Sequence, residues 1–492
     1  MADLRRSLVI NFFTFSGATL MQFIVSVLLA RILSPSELGV FSIAIVFVNI
    51  AHIFRDFGVG SYLQSEPDLT PARLRSAMGV LFTSSWAIAA LLFAISPWFG
   101  QWFNEPNMVP LIRVLAVGFL IIPFGSITNA LLTRELAAEK QAFIGAAGTI
   151  AYCVSCLWLA WTGHGTMSLA WANLISVTVV AICGIPFRPK AMPWLPSFKN
   201  WRGIVHYGAG SLLSNTTTAV NNSIPDLLLG KIAGSHEVGL FSRANSTVSI
   251  FSYVAGSTVT YGALSYFSRL YHSGESLVPL ISRATSLLTA VAWPAFAFTG
   301  IFGREIVLAL YGEKWLHCVP AIAPLAIAAA ISMAFHYAPT ALTAVGRPYL
   351  AAVPVGITLL LRVIFGIVLY DGSLTSFAWA MCLAAVVTAP VLFYQQRRNF
   401  GFSASALVKS VTGSLIVSGI CLAVMQLSDM LIPQQFAPAL RLCLAALPAV
   451  FVWYIALRLT RHELLAEVNS LAVSAKGKFS RLHPGRKTDL EG

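Results

Sequence analysis

L-L-A-R-I-L-S-P-S-E-L-G-V-F-S (28–42) returns two hundred residues later as L-L-G-K-I-A-G-S-H-E-V-G-L-F-S (228–242). Leu28/Leu228, Leu29/Leu229, Ile32/Ile232, Glu37/Glu237, Gly39/Gly239, Phe41/Phe241 and Ser42/Ser242 are identical. That is seven of fifteen positions, where about one or two would match by chance. Arg31 opposite Lys231 keeps the charge. A weaker echo pairs V-P-L-I-R-V-L-A-V (109–117) with V-P-A-I-A-P-L-A-I (319–327). A chain that repeats itself folds as two lobes, and what lies between the copies decides how the lobes are related.

Apolar sequence lies between them. Of 492 residues, 57% are hydrophobic and 10% charged, with mean hydropathy +0.76. Soluble domains carry roughly 25% charged residues, so the bulk of this chain must face lipid. A spanning helix needs about 20 apolar residues. Fourteen such runs are predicted: 7–30, 38–62, 74–98, 109–133, 142–162, 165–187, 203–230, 238–263, 279–302, 318–345, 349–370, 373–394, 404–427 and 437–457. The first follows M-A-D-L-R-R, but Ser7 to Leu29 is uncharged and longer than the ~7–15-residue core of a signal peptide.

The strong repeat recurs six spans on, an even number, so its copies run in the same direction. Parallel repeats imply two lobes about an axis along the membrane normal, with a central site between them. The expected fold is all-α and integral to the membrane, with about 14 transmembrane helices in two pseudo-symmetric six-helix lobes plus two C-terminal helices. The expected divisions are an N-terminal lobe (1–187), an interfacial linker (188–202), a C-terminal lobe (203–396), spans thirteen and fourteen (397–457) and a basic tail (458–492).

Lys+Arg is 32 against Asp+Glu 19, a net charge of +13. In a multispan protein that excess belongs to cytoplasmic loops and need not imply nucleic acid. With the N-terminus inside, Arg5, Arg6, Arg73, Arg75, Arg134, Lys140, Arg188, Lys190, Lys199, Arg202, Arg269, Arg283, Arg347, Arg397, Arg398, Lys409 and the tail share one side. The loops at 101–107, 162–165, 371–373 and 428–435 are nearly free of positive charge. Both termini are therefore expected in the cytoplasm, with Trp98 and Trp102 at the outer interface.

Charged residues inside spans mark function or bracing. In H-I-F-R-D-F-G-V-G (52–60), Arg55 lies about eighteen residues into span two, roughly 27 Å along the helix. It either snorkels to inner headgroups beside Asp56 or faces the cytoplasmic mouth of a cavity, and Gly58 and Gly60 favour a bend there. Arg243 lies roughly 9 Å inside span eight. Asp226 follows Pro225 and the polar run N-N-S (221–223), where a proline frees backbone carbonyls. Arg362 is about 12 Å from the nearer end of span eleven. An unpaired charge at such depth costs at least ~2.5–3.5 kcal/mol. Each should meet water or a partner, and an Asp226–Arg243 pair bracing spans seven and eight is one solution. His336, before Pro339, is either a protonatable group or a hydrogen-bonded core histidine. C-V-S-C (153–156) sits mid-helix, where small packing residues are expected more than a redox pair. The sequence carries no metal cluster, phosphate loop or catalytic triad pattern, and suggests neither a cofactor nor an enzyme.

L-A-R-I-L-S-P-S-E-L-G-V-F-S followed by F-R-D-F-G-V-G-S-Y-L-Q resembles the first two helices of bacterial polysaccharide-exporter and O-antigen-type flippases of the multidrug/oligosaccharidyl-lipid/polysaccharide superfamily. The resemblance implies movement of an undecaprenyl-diphosphate-linked oligosaccharide across the bacterial inner membrane by alternating access in a V-shaped two-lobe fold. It also implies service to O-antigen, capsule or exopolysaccharide synthesis, beside a polymerase and chain-length proteins. Guanidinium groups suit a diphosphate, and Asn side chains can replace sugar hydration. The candidate cavity set is Arg31, Asn49, Arg55, Asp56, Asn221, Asn222, Asp226, Lys231, Arg243 and Arg362, with Asp56, Asp226 and His336 as candidates for proton coupling. A drug/cation antiporter of the same superfamily is the alternative, although those typically have twelve spans and acidic sites. A polysaccharide polymerase would carry a large outer catalytic loop, which is not seen.

Overall fold

The computed structural model describes residues 2–66, 69–135, 137–189, 196–197, 216, 219–260 and 263–470. The helices are α1 (Ala2–Ile32), α2 (Pro35–Asp56), α3 (Val59–Ser65), α4 (Pro71–Trp102), α5 (Met108–Arg134), α6 (Ala138–Trp161), α7 (Met167–Gly184) and α8 (219–232). They continue as α9 (Ser235–Thr260), α10 (Ala263–His272), α11 (Val278–Ile301), α12 (Gly303–Leu310), α13 (Val319–Ala334) and α14 (Ala338–Ala344). The last are α15 (Pro348–Val368), α16 (Leu374–Phe400), α17 (Ala404–Leu431) and α18 (Pro438–Leu459). No strand occurs among the described residues.

Among those residues, eleven helices are long and apolar enough to cross a membrane, not fourteen. The remaining three expected spans correspond to α1, α8 and α9. Only 16–32 of α1 registers as an apolar stretch, residues 203–215 of span seven lie outside the described residues, and α9 is rich in Ser and Thr. Two expected spans are broken. Span two ends at Asp56, because Phe57 (φ 43°) and Gly58 (φ 70°) adopt left-handed backbone before α3 begins. Span ten divides between α13 and α14, and His336 sits at the break. Most of the 188–202 linker and residues 471–492 of the tail lie outside the described residues.

The chain divides into two compact units. Unit 1 comprises Met1–Arg243, Leu310–Cys318 and Val355–Ala380. In it α4 packs on α5, α6 on α7, α5 on α7, α1 on α6, and α2 on both α4 and α5. Val59, Leu63, Leu74, Met78, Leu81, Ile127 and Leu131 form one core among α3, α4 and α5. The start of α2 is fixed locally by a capping box. The Ser34 hydroxyl accepts from the Glu37 amide at 3.3 Å, and the Glu37 carboxylate accepts from the Ser34 amide at 2.8 Å. Such a cap is worth about 1 kcal/mol.

Unit 2 comprises Ala244–Ala309, Val319–Pro354 and Met381–Gly492. Here α11 packs on α13 and α17, α17 on α18, and α10 on α14. Arg441 of α18 is buried and ion-paired with Glu305 of α12, and it also bridges to Asp429 at 2.8 Å. Leu447, Val450, Phe451 and Leu459 on α18 are exposed, as lipid-facing positions are. Cys153 and Cys156 are free and buried within α6, consistent with packing.

Candidate functional site

The candidate residues on unit 1 do not form one cluster; they fall into separate places along α2 and its neighbours. α2 spans 22 residues, or about 33 Å, close to the thickness of a hydrocarbon core.

At the C-terminal end of α2, the Arg55 guanidinium donates through Nη1 to Ser126 Oγ of α5 at 2.9 Å. Its Nη2 lies 4.0 Å from Asp56 Oδ1, and the two side chains are 13% and 42% exposed. The Arg55 carbonyl accepts from Ser84 Oγ of α4 at 2.7 Å, so backbone and side chain are held by different neighbours. A cation in this last turn also complements the helix dipole. Arg55 Nε is buried without a hydrogen-bond partner among the described residues. The Ser126 bond ties the side chain to α5. Gly60 packs against the Asp56 carboxylate, 3.4 Å from where a Cβ would stand. Close by, Arg73 pairs with Glu66, and Arg134 donates to the carbonyls of Leu63 and Glu66.

Also in unit 1, Arg362 of α15 donates to the main-chain carbonyl of Asn221 at 2.6 Å. That carbonyl is the one Pro225, four residues on in α8, cannot serve because it has no N–H. Arg362 thus supplies the donor that the helix lacks. Asp226 is half-buried one residue beyond the proline, Asn222 is exposed, and Asn49 is exposed on α2.

Arg243 does not take up the Asp226 pairing considered from sequence. It is 8% exposed, donates to Ser26 Oγ of α1 at 2.9 Å, and lies over the rings of Tyr311 and Trp315 at 4.8 and 5.2 Å. Tyr311 and Trp315 were not foreseen as its partners, although K-W in the loop before span ten was a visible signal.

Arg31 and Lys231 occupy the opposite end of α2 from Arg55. Arg31 Nε donates to the Leu310 carbonyl at 2.9 Å, and Lys231 Nζ to the Trp102 carbonyl at 2.7 Å. Loops expected on the outer side converge here. Thr166 bonds to the Glu37 carbonyl at 3.2 Å, and Ser235 bonds to Glu105. Lys314 Nζ donates to the carbonyls of Arg31 and Leu33 at 2.9 and 2.6 Å. His236, Glu237 and His317 line a recess with Gly372 to Thr375. Among the described residues no group of His, Cys, Asp or Glu could hold a metal ion. His336 lies in unit 2, its ring edge-on to Tyr337.

The sequence matches the polysaccharide biosynthesis protein family over residues 28–320, more than half of the chain. It is similar to the teichuronic acid biosynthesis protein TuaB of Bacillus subtilis (strain 168), 24% identical over 382 residues, covering 75% of this chain and 77% of that protein. It is equally similar to the succinoglycan biosynthesis transport protein ExoT of Rhizobium meliloti (strain 1021), 24% identical over 388 residues and 76% of each chain. The fold resembles that of the lipid II flippase MurJ in an inward closed conformation, with a TM-score of 0.76, 14% identity, and coverage of 92% of this chain and 99% of that one.

Proposed function

Since the chain belongs to the polysaccharide biosynthesis protein family, we propose that it is a multi-pass flippase that moves a lipid-linked oligosaccharide across the membrane. The reading extends to an undecaprenyl-diphosphate carrier, the bacterial inner membrane, cytoplasmic termini and surface-polysaccharide synthesis beside a polymerase and chain-length proteins. One observation carries most of the weight: the guanidinium groups of Arg55 and Arg362 are hydrogen-bonded to neutral oxygens, the Ser126 hydroxyl and the Asn221 carbonyl, with the Asp56 carboxylate no closer to Arg55 than 4.0 Å. Cations held by neutral groups keep their charge for a diphosphate. A bare lipid diphosphate could not otherwise cross roughly 30 Å of hydrocarbon.

In this mechanism Arg55 meets the diphosphate at the cytoplasmic mouth. Arg362, with Asn49, Asn221 and Asn222, lies along the sugar path, and Asp56, Asp226 or His336 carries any coupled proton. Deleting the gene tests the reading. Surface polysaccharide should disappear while its lipid-linked precursor accumulates in the inner leaflet, and the intact gene should reverse both. Unchanged polysaccharide in the deletion strain would remove the proposal.

A further inference from the structure

The polar side chains along α2 gather on one side of it. Between Leu38 and Asp56 they are Ser42, Asn49, His52, Arg55 and Asp56; every other residue there is apolar or glycine. Ser42, Asn49 and Asp56 recur every seven residues, His52 stands between the last two, and Arg55 follows it by three. Such spacing sets them on adjoining rows of one helix face. Ser42 Oγ donates to Ser242 Oγ at 3.3 Å, whereas Asn49 is exposed. An exposed amide well inside a spanning helix faces water and not hydrocarbon, so the stripe borders an aqueous path.

Within this stripe His52 is built to receive a ligand. Its ring stacks on the fully buried Phe119 of α5, with centroids 4.6 Å apart and planes inclined by 30°. The stacking fixes the ring and leaves its nitrogens at the edge. They form no hydrogen bond among the described residues, and the residue is only half-buried. Arg55, one turn nearer the cytoplasmic end, is its charged neighbour and reaches Ser126 of α5. Phe119 and Ser126 are seven residues apart on one face of α5, about 10 Å, so imidazole and guanidinium are anchored at separate heights along the same wall.

We propose that His52 is the contact that tells a lipid diphosphate from a lipid monophosphate. The inference rests on the flippase reading, in which Arg55 meets the carrier. One guanidinium fork is matched by one phosphate. A diphosphate brings a second, and the imidazole, about 4.5 Å further along the helix, offers that group an N–H. Imidazole donates through one nitrogen when neutral and through both when protonated, so the contact holds in either state. With its ring already stacked, His52 loses little rotamer freedom on binding. A monophosphate engages Arg55 and leaves His52 unused.

The test is equilibrium binding of undecaprenyl phosphate and undecaprenyl diphosphate, both without sugar, to the purified full chain in lipid nanodiscs. The native chain should bind the diphosphate about tenfold or more tightly than the monophosphate. His52→Phe keeps a ring over Phe119 but has no N–H. It should bring the two affinities within about twofold of each other, by weakening the diphosphate alone. His52→Ala should do the same, and Arg55→Lys should weaken both lipids. Equal affinities in the native chain, or an unchanged preference in folded His52→Phe, overturn the proposal. So does a parallel loss for both lipids, which would leave His52 as a packing partner of Phe119. A native chain that binds neither lipid removes the flippase reading itself, a result distinct from binding without discrimination.

Discussion

The guanidinium of Arg362 completes a helix that is not its own: it reaches the Asn221 carbonyl, 141 positions away in sequence, at 2.6 Å. Pro225 leaves that carbonyl without its helical donor. Arg362→Ala should therefore strand a buried acceptor and destabilise the protein by about 1–3 kcal/mol. Pro225→Ala restores an N–H at position 225 and should recover much of that loss. A double-mutant cycle on thermal unfolding in detergent measures the coupling. Additive effects would show that Arg362 is not serving this carbonyl. If stability recovers in the double variant but export does not, Arg362 also touches substrate.

Arg55 offers a sharper test of charge against shape. Lysine keeps the charge and can reach headgroups, but it lacks the planar fork for a diphosphate. Arg55→Lys should cut surface polysaccharide several-fold at matched protein level and raise the inner-leaflet precursor, since a charge-assisted bond is worth about 1.5–3 kcal/mol. Normal export with lysine would leave Arg55 as an anchor to Ser126.

Arg243 carries a structural expectation. Its guanidinium lies over Tyr311 and Trp315 and bonds to Ser26, all in unit 1. A desolvated cation–π contact is worth about 2 kcal/mol. Arg243→Ala should lower the unfolding midpoint and the abundance of folded protein. Normal abundance with lost export would instead assign it to substrate, as its depth in the sequence first suggested.

His462 makes unit 2 sensitive to acid. It follows the end of α18, and its Nδ1 accepts from the Leu464 amide at 3.1 Å. The neutral ring therefore carries its proton on Nε2, which faces Ser286 and Ser414 at 3.2 and 3.3 Å. Burial lowers its pKa below the ordinary 6.5, against a smaller upward pull from Glu463. A base whose folded pKa is depressed contributes stability that is complete above its unfolded pKa and is lost as pH falls through the folded value. The unfolding midpoint should thus drop below about pH 6.5, and His462→Gln should flatten that dependence. An identical slope in the variant would place the acid sensitivity elsewhere.

The repeat was legible as a repeat, and the identity of Gly39 with Gly239 was on the page. Local pattern could not say that the copies touch each other, because their contact joins segments two hundred residues apart. Proline chemistry at 225 was readable too, but the long-range donor that serves the freed carbonyl, Arg362, was not. Gly58 and Gly60 gave notice of the bend after Asp56, whereas the break at His336 escaped because hydropathy runs straight through it and only backbone conformation reveals it. Arg31 and Lys231 read as cavity cations because charge is visible in sequence, whereas the helix-end carbonyls that receive them are not.

Reconstitution tests flipping most directly. The purified chain would be placed in sealed vesicles carrying an undecaprenyl-diphosphate oligosaccharide, with lipid exposure read by a membrane-impermeant glycan-oxidising reagent. Active vesicles should expose nearly all of the glycan within minutes, those bearing Arg55→Lys should do so several-fold more slowly, and protein-free vesicles should leave the inner half protected. Protection equal to that of protein-free vesicles, with the protein folded and both carrier and glycan intact, would contradict the flippase reading.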